Sequence, residues 1–137
     1  MATYSFVFDE FKDEMYSGYN FLVDNGFRIC LVNGQFVEGN NYVTNRQTKL
    51  WANIPSAYKI TTTDKAVGAY TVDKAGVGVI VKAVSDAVWS MSTITDAYGA
   101  VIYDATDLLV CYIDFGGPQT SQNGTFSVPI SKGFIQS

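Results

Sequence analysis

The chain has 137 residues, a net charge of −4 and no histidine. A chain of this length suits one domain with one hydrophobic core, which we predict to span residues 1–137. The missing histidine excludes His-based catalytic triads and zinc sites with His ligands.

The charge and hydropathy of the chain also predict whether it binds nucleic acid or membranes and where it is made. The nine basic residues are scattered along the chain, so we expect no nucleic-acid partner. No apolar run approaches the ~20 residues that cross a bilayer, so we expect no membrane partner. The first residues lack the basic and long apolar regions of a secretion signal, which predicts synthesis in the cytoplasm.

Residues 1–18 are predicted to form an N-terminal arm and a short helix. Aromatic side chains alternate along residues 3–8, which fits either a strand or an arm that docks on a neighbour. Residues 9–15 have helical apolar spacing and an acidic first turn, and Gly18 is placed to end the helix.

Turn signals organise the next part of the chain. Asn25 and Gly26 predict a hairpin between residues 20–24 and 27–32. Residues 35–47 are polar and rich in turn formers, which predicts a long surface loop. Because aromatic residues interrupt its polar sequence, we favour a loop that folds against a partner over a free one.

Short strands follow the loop. A helical turn is predicted for residues 49–54, and strands are predicted for residues 58–63, 68–72 and 76–84. In the last of these strands, the odd-numbered residues form an entirely apolar face. Only the opposite face is expected to reach solvent, at Lys82.

From Trp89 onwards, the pattern predicts a three-stranded antiparallel meander. Its strands are residues 98–103, 108–115 and 125–130. Gly116 to Pro118, and then Asn123 with Gly124, would separate the second strand from the third. The third strand alternates between an apolar and a polar face, and Pro129 favours an edge position. Both faces of the second strand are apolar, so either further chain covers it or one face meets another subunit.

About eight short strands with little helix predict a mainly β fold. We expect an antiparallel β-sandwich, with a jelly roll as one form of it, and a short N-terminal helix. Cys30 and Cys111 lie in apolar strands, so we expect free, buried thiols rather than a disulfide.

Carboxylates offer the one remaining route to catalysis. Asp104 and Asp107 bracket the hairpin loop, and Asp114 could approach them from the next strand. Such residues usually cap turns, and two or three carboxylates are too few for a typical calcium site. We therefore predict no glycosidase-type site. No catalytic, cofactor-binding or metal-binding residues are expected, and the protein is not expected to be an enzyme.

Four segments suggest a family. They are Trp89 with residues 93–95 (TIT), residues 100–104 (AVIYD), residues 112–117 (YIDFGG) and residues 123–126 (NGTF). Together they resemble a group of small virion structural proteins of tailed bacteriophages. The resemblance covers about the last third of the chain well and the first half loosely. It brings no catalytic or metal-binding residues.

The resemblance implies a place in the virion. Members of the group sit on the capsid as decoration or stabilising proteins. This implies a head decoration (cement) protein that binds the major capsid protein, and we expect it to act as a homotrimer. An acidic chain favours the outer side of the head over the side that faces DNA.

Aromatic residues make up 15% of the chain and charged residues only 16%. So many aromatic side chains either fill a β core or form an interface with another protein. We predict a contact surface on the N-terminal arm, the long loop and its flank. Its residues are Tyr4, Phe6, Phe8, Phe11, Phe36, Tyr42 and Trp51.

Two other functions fit the same composition. The protein could be a tail, baseplate or head-fibre component. It could also be a carbohydrate-binding module that stacks sugars on Trp51, with Trp89 in the core.

Overall fold

A computed structural model describes residues 4–20, 25–36, 49–75 and 78–136. The helix is α1 (Asp9–Tyr16), and the strands are β1 (Tyr4–Val7), β2 (Arg28–Val32), β3 (Lys59–Ala66), β4 (Tyr70–Ala75), β5 (Gly78–Ala83), β6 (Ala87–Tyr103), β7 (Leu109–Val128) and β8 (Ile135–Gln136). Short 3-10 helices span Trp51–Asn53, Ser56–Tyr58 and Ile130–Lys132.

The strands form two antiparallel sheets. The larger sheet has the order β1-β7-β6-β2-β3, and the smaller sheet has the order β4-β5-β8. The prediction of a mainly β, antiparallel fold with one short N-terminal helix is confirmed. The jelly-roll form is not confirmed by these strand orders.

One face of the larger sheet packs against the smaller sheet, as in a β-sandwich. The larger sheet contributes Ile29, Leu31, Ala100 and Ile102 to this cluster, the smaller sheet contributes Val81, Ala83 and Ile135, and α1 contributes Phe11. The predicted alternation in β5 is confirmed where its side chains are described, because Val81 and Ala83 are buried whereas Val84 is 64% exposed. Hydrophobic burial between the sheets therefore fixes which face of each strand points inward.

The opposite face of the larger sheet is also covered by the chain. We call this second set of buried residues the outer cluster; it comprises Phe6, Phe8, Cys30, Val32, Phe36, Trp51, Ile54, Val101, Tyr103, Leu109 and Tyr112. Both faces of β7 near the hairpin turn are thus buried within one chain. Of the two alternatives for this strand, the structure supports the one in which further chain covers it.

The long strands β6 and β7 form one hairpin across the loop at residues 104–108. The hairpin is as predicted, but the three-stranded meander is wrong. β7 continues without a turn through Gly116 and Gly117, and then through Asn123. Each of these residues has a positive φ and lies at a shift of register against β6. They form β-bulges, which use the same residues as turns because both need left-handed backbone conformations.

The end of β7 keeps the predicted alternation. Phe126, Val128 and Ile130 are buried, whereas Thr125 and Ser127 are exposed. Strand β7 ends at Val128, and the residue that follows it is Pro129. The proline therefore terminates the strand rather than lying within an edge.

The other predicted elements divide into confirmed and undescribed ones. The N-terminal helix, the helical turn before Pro55 and the two free, buried cysteines are confirmed. The arm at residues 3–8 is a strand from Tyr4 onward, and it pairs with β7 of the same chain rather than with a neighbour. Most of the predicted strand at residues 20–24 and most of the loop at residues 35–47 lie outside the described residues.

Candidate contact surface

Five of the seven predicted contact residues lie in the core. Their exposed fractions are 7% for Phe6, 0% for Phe8, 0% for Phe11, 0% for Phe36 and 7% for Trp51. The prediction that they form a contact surface is therefore wrong for this folded chain. The physical reason is that the larger sheet is apolar on both faces, so aromatic side chains are needed to cover each face.

The aromatic rings of the outer cluster pack closely on one another. Tyr112 lies at its centre, with ring centroids 5.5 Å from Phe6 and 5.0 Å from Phe36. Burial raises the pKa of Tyr112 well above its ordinary value. The other two predicted contact positions, the side chain of Tyr4 and all of Tyr42, lie outside what the structure describes.

Trp51 is covered on both sides and offers no sugar platform. Its ring stacks on Tyr103, with centroids 4.9 Å apart and ring planes 10° apart. The ammonium of Lys59 lies 4.1 Å from the centroid of the Trp51 ring and also donates a hydrogen bond of 2.9 Å to the Trp51 carbonyl. Partial burial lowers the pKa of Lys59. The sequence-based role of Trp51 as a carbohydrate platform is therefore wrong.

Trp89 is half-buried against the cluster between the sheets. Its indole Nε1 donates a hydrogen bond of 2.9 Å to the carbonyl oxygen of Thr63. Phe126 meets the indole edge to face at 6.1 Å between centroids. Its predicted place in the core is confirmed in part.

The loop between β6 and β7 uses its carboxylates to hold its own shape. Oδ1 of Asp104 accepts hydrogen bonds from the backbone N–H groups of Thr106 and Leu108 and from the Thr106 hydroxyl. Its Oδ2 accepts one from the hydroxyl of Tyr19. Asp107 accepts a hydrogen bond of 2.8 Å from the Ala52 amide, which fastens the 3-10 helix at Trp51 to the hairpin.

Asp114, the third carboxylate considered for catalysis from the sequence, also holds the local backbone in place. Asp114 accepts a hydrogen bond of 2.7 Å from the backbone N–H of Gly116, at the start of the largest bulge. The interpretation of the three aspartates as turn-capping residues is therefore confirmed. Among the side chains that the structure describes, no three His, Cys, Asp or Glu residues come together in a way that could hold a metal ion.

A further carboxylate, that of Asp64, connects three strands of the larger sheet. Asp64 of β3 accepts a hydrogen bond of 2.8 Å from Nε of Arg28 and another from the hydroxyl of Tyr103. Burial, together with this hydrogen bond, raises the pKa of Tyr103 above its ordinary value. The buried hydroxyl of Tyr103 therefore has a hydrogen-bond acceptor, and Asp64 connects it to Arg28.

One surface stands out for its lack of charge. Beyond the segments of β6 and β7 that pair with β2 and β1, these two strands continue as a two-stranded ribbon formed by residues 87–97 and 115–128. We call this part the ribbon. Asp96 is its one charged residue.

The exposed side chains of the ribbon are mostly hydroxyls and amides. They are Ser90, Thr93, Thr95, Gln119, Thr120, Gln122, Asn123, Thr125 and Ser127. Among them lies Met91, which is 86% exposed and has a φ of 47° in a bulge of β6. The side chain of Met91 is therefore open to contact with another molecule.

The bends of β7 also create a shallow cavity of about 240 Å³ at its outer edge. It is lined by Ile113, Phe115, Gln119, Thr120, Ser121, Thr125, Phe126, Ser127 and Pro129. Within the described residues, β1 pairs with β7 only as far as Asp114, so this edge carries no further strand. The cavity is therefore open, uncharged and lined by both apolar and hydroxyl groups.

Sequence reasoning missed the ribbon, although a signal for it was present. Residues 115–131 contain no charged residue at all, and residues 87–95 contain none either. These two segments pair with each other in the structure. The shared absence of charge in two paired segments was the signal that could have identified this surface.

Comparisons of the chain with protein families, with curated proteins and with solved structures found no match. The helices of the described segments include none that is long and apolar enough to span a membrane.

Proposed function

We propose that this protein is a non-enzymatic structural component of a tailed-phage particle, a decoration protein that binds the outer shell of the head. The ribbon is the surface that makes the contact. Its partner is the major capsid protein, and its task is to tie neighbouring shell subunits together.

The observation that carries the proposal is the scarcity of charged residues in the two strands of the ribbon. Charged residues are depleted at the centres of protein interfaces, because a charge that leaves water without a partner costs free energy. A chain with net charge −4 displays one charged residue, Asp96, in the ribbon's two strands. The exposed Met91 adds an apolar, adaptable side chain of the kind that fits varied surfaces.

The fold suits a rigid adaptor rather than an enzyme. The carboxylates of Asp104, Asp107 and Asp114 are each engaged in local hydrogen bonds. Ile94, Ala97 and Phe126 of the ribbon are buried in the cluster between the sheets, which fixes the ribbon to the packed core. Because the ribbon is held rigidly, it loses less conformational entropy when it binds a partner.

Trimers would multiply a weak contact. Three ribbons acting together at a threefold position of the head could raise the avidity by about 10²- to 10⁴-fold over one contact. Light scattering on the purified protein tests this part of the proposal. A molecular mass of three chains is expected, and a stable monomer at micromolar concentration contradicts the trimer.

Binding to empty phage heads tests the contact surface. Met91→Asp places a charge on the ribbon, and Asp tolerates the left-handed backbone of this position, so folding should be preserved. The matched control is Val84→Asp, at an exposed residue that follows β5 in the smaller sheet and lies outside the ribbon. In sedimentation with heads that lack the protein, Met91→Asp should release it while Val84→Asp binds like the original chain. Equal binding by both variants contradicts the ribbon as the contact.

A second candidate function, a carbohydrate-binding module, is favoured by the cavity on β7. Hydroxyl and amide groups beside Phe115 and Phe126 are the kinds of group that recognise a neutral sugar. At about 240 Å³ the cavity is smaller than the ~300–1,000 Å³ of sites for drug-sized ligands, so a single sugar ring is the fitting size. A glycan array separates this function from shell binding.

A further inference from the structure

Three Asn–Gly sequences occur in the chain, at positions 25, 33 and 123, and all three asparagines lie in described segments. In such a pair, the backbone nitrogen of the glycine can attack Cγ of the asparagine. The Cγ–Nδ2 bond breaks, ammonia leaves, and a cyclic succinimide forms. Water then opens the ring to give either aspartate or isoaspartate. The reaction needs an asparagine side chain that is free to turn and a glycine nitrogen that can be approached.

The side chain of Asn25 is held in place, and the glycine that follows it is closely packed. Its Nδ2 donates hydrogen bonds of 2.8 Å to the carbonyl of Asn20 and 3.0 Å to the hydroxyl of Tyr70. The following residue, Gly26, has a φ of 63°, and a Cβ built on it would lie 2.8 Å from Cβ of Ala105. The glycine is therefore packed tightly against the β6–β7 loop.

Asn33 is held in a similar way. Its Nδ2 donates a hydrogen bond of 2.8 Å to the carbonyl of Ala57, and its Oδ1 accepts one of 3.0 Å from the Gln35 amide. A Cβ built on Gly34 would lie 2.8 Å from the ring of Tyr98. Both the side chain and the backbone of this pair are constrained.

Asn123 differs from the other two in the freedom of its side chain and in the space around the glycine that follows it. It is exposed at a bulge of the ribbon, and its side-chain amide makes no hydrogen bond with any residue of the described segments. A Cβ built on Gly124 would meet nothing closer than 3.8 Å, the distance to the Gln122 carbonyl. The backbone of Gly124 also lies outside the left-handed region, so neither space nor conformation requires glycine here.

We propose that Asn123 is a site of spontaneous deamidation that places a negative charge on the ribbon as the protein ages. The change also lengthens the backbone by one carbon wherever isoaspartate forms. Its consequence for binding rests on the proposed function, because the charge would appear on the surface that contacts the shell. The chemical step itself needs only water and the residues named.

Peptide mapping by mass spectrometry tests the chemical step on the folded, full-length protein. Hydrogen bonds that must break before Asn25 or Asn33 can turn should slow their reaction by about tenfold or more relative to Asn123. During incubation at mildly alkaline pH, deamidation should therefore appear first at position 123. Deamidation at Asn25 or Asn33 as fast as at Asn123 overturns the proposal.

Gly124→Ala supplies the blocking variant, because the structure has room for its Cβ. The added methyl group hinders approach of the backbone nitrogen, so deamidation at position 123 should fall while the fold is kept. The same peptides from urea-unfolded protein provide the reference, since all three pairs should react at similar rates there. A difference between the sites that persists in urea would overturn the role assigned to the structure.

The binding consequence is measured separately with Asn123→Asp. This variant mimics one product, and Asn53→Asp places the same charge at an exposed position outside the ribbon. Asn123→Asp alone should weaken sedimentation with phage heads. If both variants bind like the original chain, the consequence for binding is overturned while deamidation can still be observed. If the original chain fails to bind heads, the proposed function fails instead.

Discussion

The hydroxyl of Tyr19 donates a hydrogen bond of 2.9 Å to Oδ2 of Asp104, a residue 85 positions away in the chain. This contact joins the segment after α1 to the loop between β6 and β7. Asp104 is 3% exposed, and its other oxygen accepts three hydrogen bonds from the loop. One carboxylate thus shapes the hairpin turn and anchors the N-terminal part of the chain to it.

Replacing either partner should destabilise the fold. A hydrogen bond to a charged group contributes about 1.5–3 kcal/mol, so Asp104→Ala, which removes four, should lower the free energy of unfolding by about 3 kcal/mol or more. Tyr19→Phe removes one and should cost about 1–2 kcal/mol. Urea unfolding measures both. Tyr16→Phe is the control, because this side chain is 83% exposed and should change stability by less than about 0.5 kcal/mol. A loss no larger for Asp104→Ala than for the control would contradict the anchor.

Alkaline pH should destabilise the protein through its buried phenols. Burial is the main cause that raises the pKa of Tyr19, Tyr103 and Tyr112 above the ordinary value of 10.0. The folded protein therefore keeps these groups protonated at a pH where the unfolded chain ionises them. Their stabilisation is complete below about pH 10 and is lost as the pH rises further toward the folded-state values.

Urea unfolding at a series of pH values checks this expectation. The free energy of unfolding should fall as the pH rises above about 10, and Tyr112→Phe should make the decline shallower. Phenolate absorbance adds a second measurement on the same samples. Full ionisation of all nine tyrosines near pH 10 in the folded protein would show that the phenols are not protected.

Both cysteines should be unreactive until the protein unfolds. Burial raises the pKa of Cys30 to about 11 and raises that of Cys111 also. Because the thiolate is the reactive form, a chromogenic disulfide reagent at pH 8 should label neither residue in the folded state. Addition of urea should release both thiols for labelling. Rapid labelling before urea is added would contradict the burial of Cys30 or Cys111.

Two glycines of the hairpin should respond differently to the same substitution. A Cβ built on Gly99 would collide with the side chain of Tyr112 and lie 2.5 Å from the carbonyl oxygen of Ile113. Gly99→Ala should therefore destabilise the protein by about 1–3 kcal/mol through overpacking. Gly124→Ala has space and should change the free energy of unfolding by less than about 0.5 kcal/mol. Equal losses for the two variants in thermal or urea unfolding would contradict the packing at Gly99.

Local patterns in the sequence predicted much of the fold. The helix at Asp9–Tyr16 and the hairpin across Asp104 follow from short-range spacing, so each could be identified without tertiary information. The bulges could not be identified in this way. Asn123 and Gly117 adopt positive φ values that serve a turn and a bulge equally well, and only pairing with β6 distinguishes the two.

The contact surface was harder to predict than the fold. The aromatic residues Phe6, Phe8 and Phe36 suggested an interface because they exceed what one core face needs. They fill a second cluster on the other face of the larger sheet, which depends on long-range packing. The absence of charge in residues 87–95 and 115–131 is visible in the sequence, but only the pairing of the two strands shows that these segments form one surface.

Imaging of the intact virion by electron cryo-microscopy is the most direct test of the proposed function. The reconstruction should place this chain on the outside of the head, with Met91 and the rest of the ribbon facing the shell protein. It should also show three copies around each occupied threefold position. A chain located in the tail, a ribbon that faces solvent, or a mature particle without this protein would contradict the proposal.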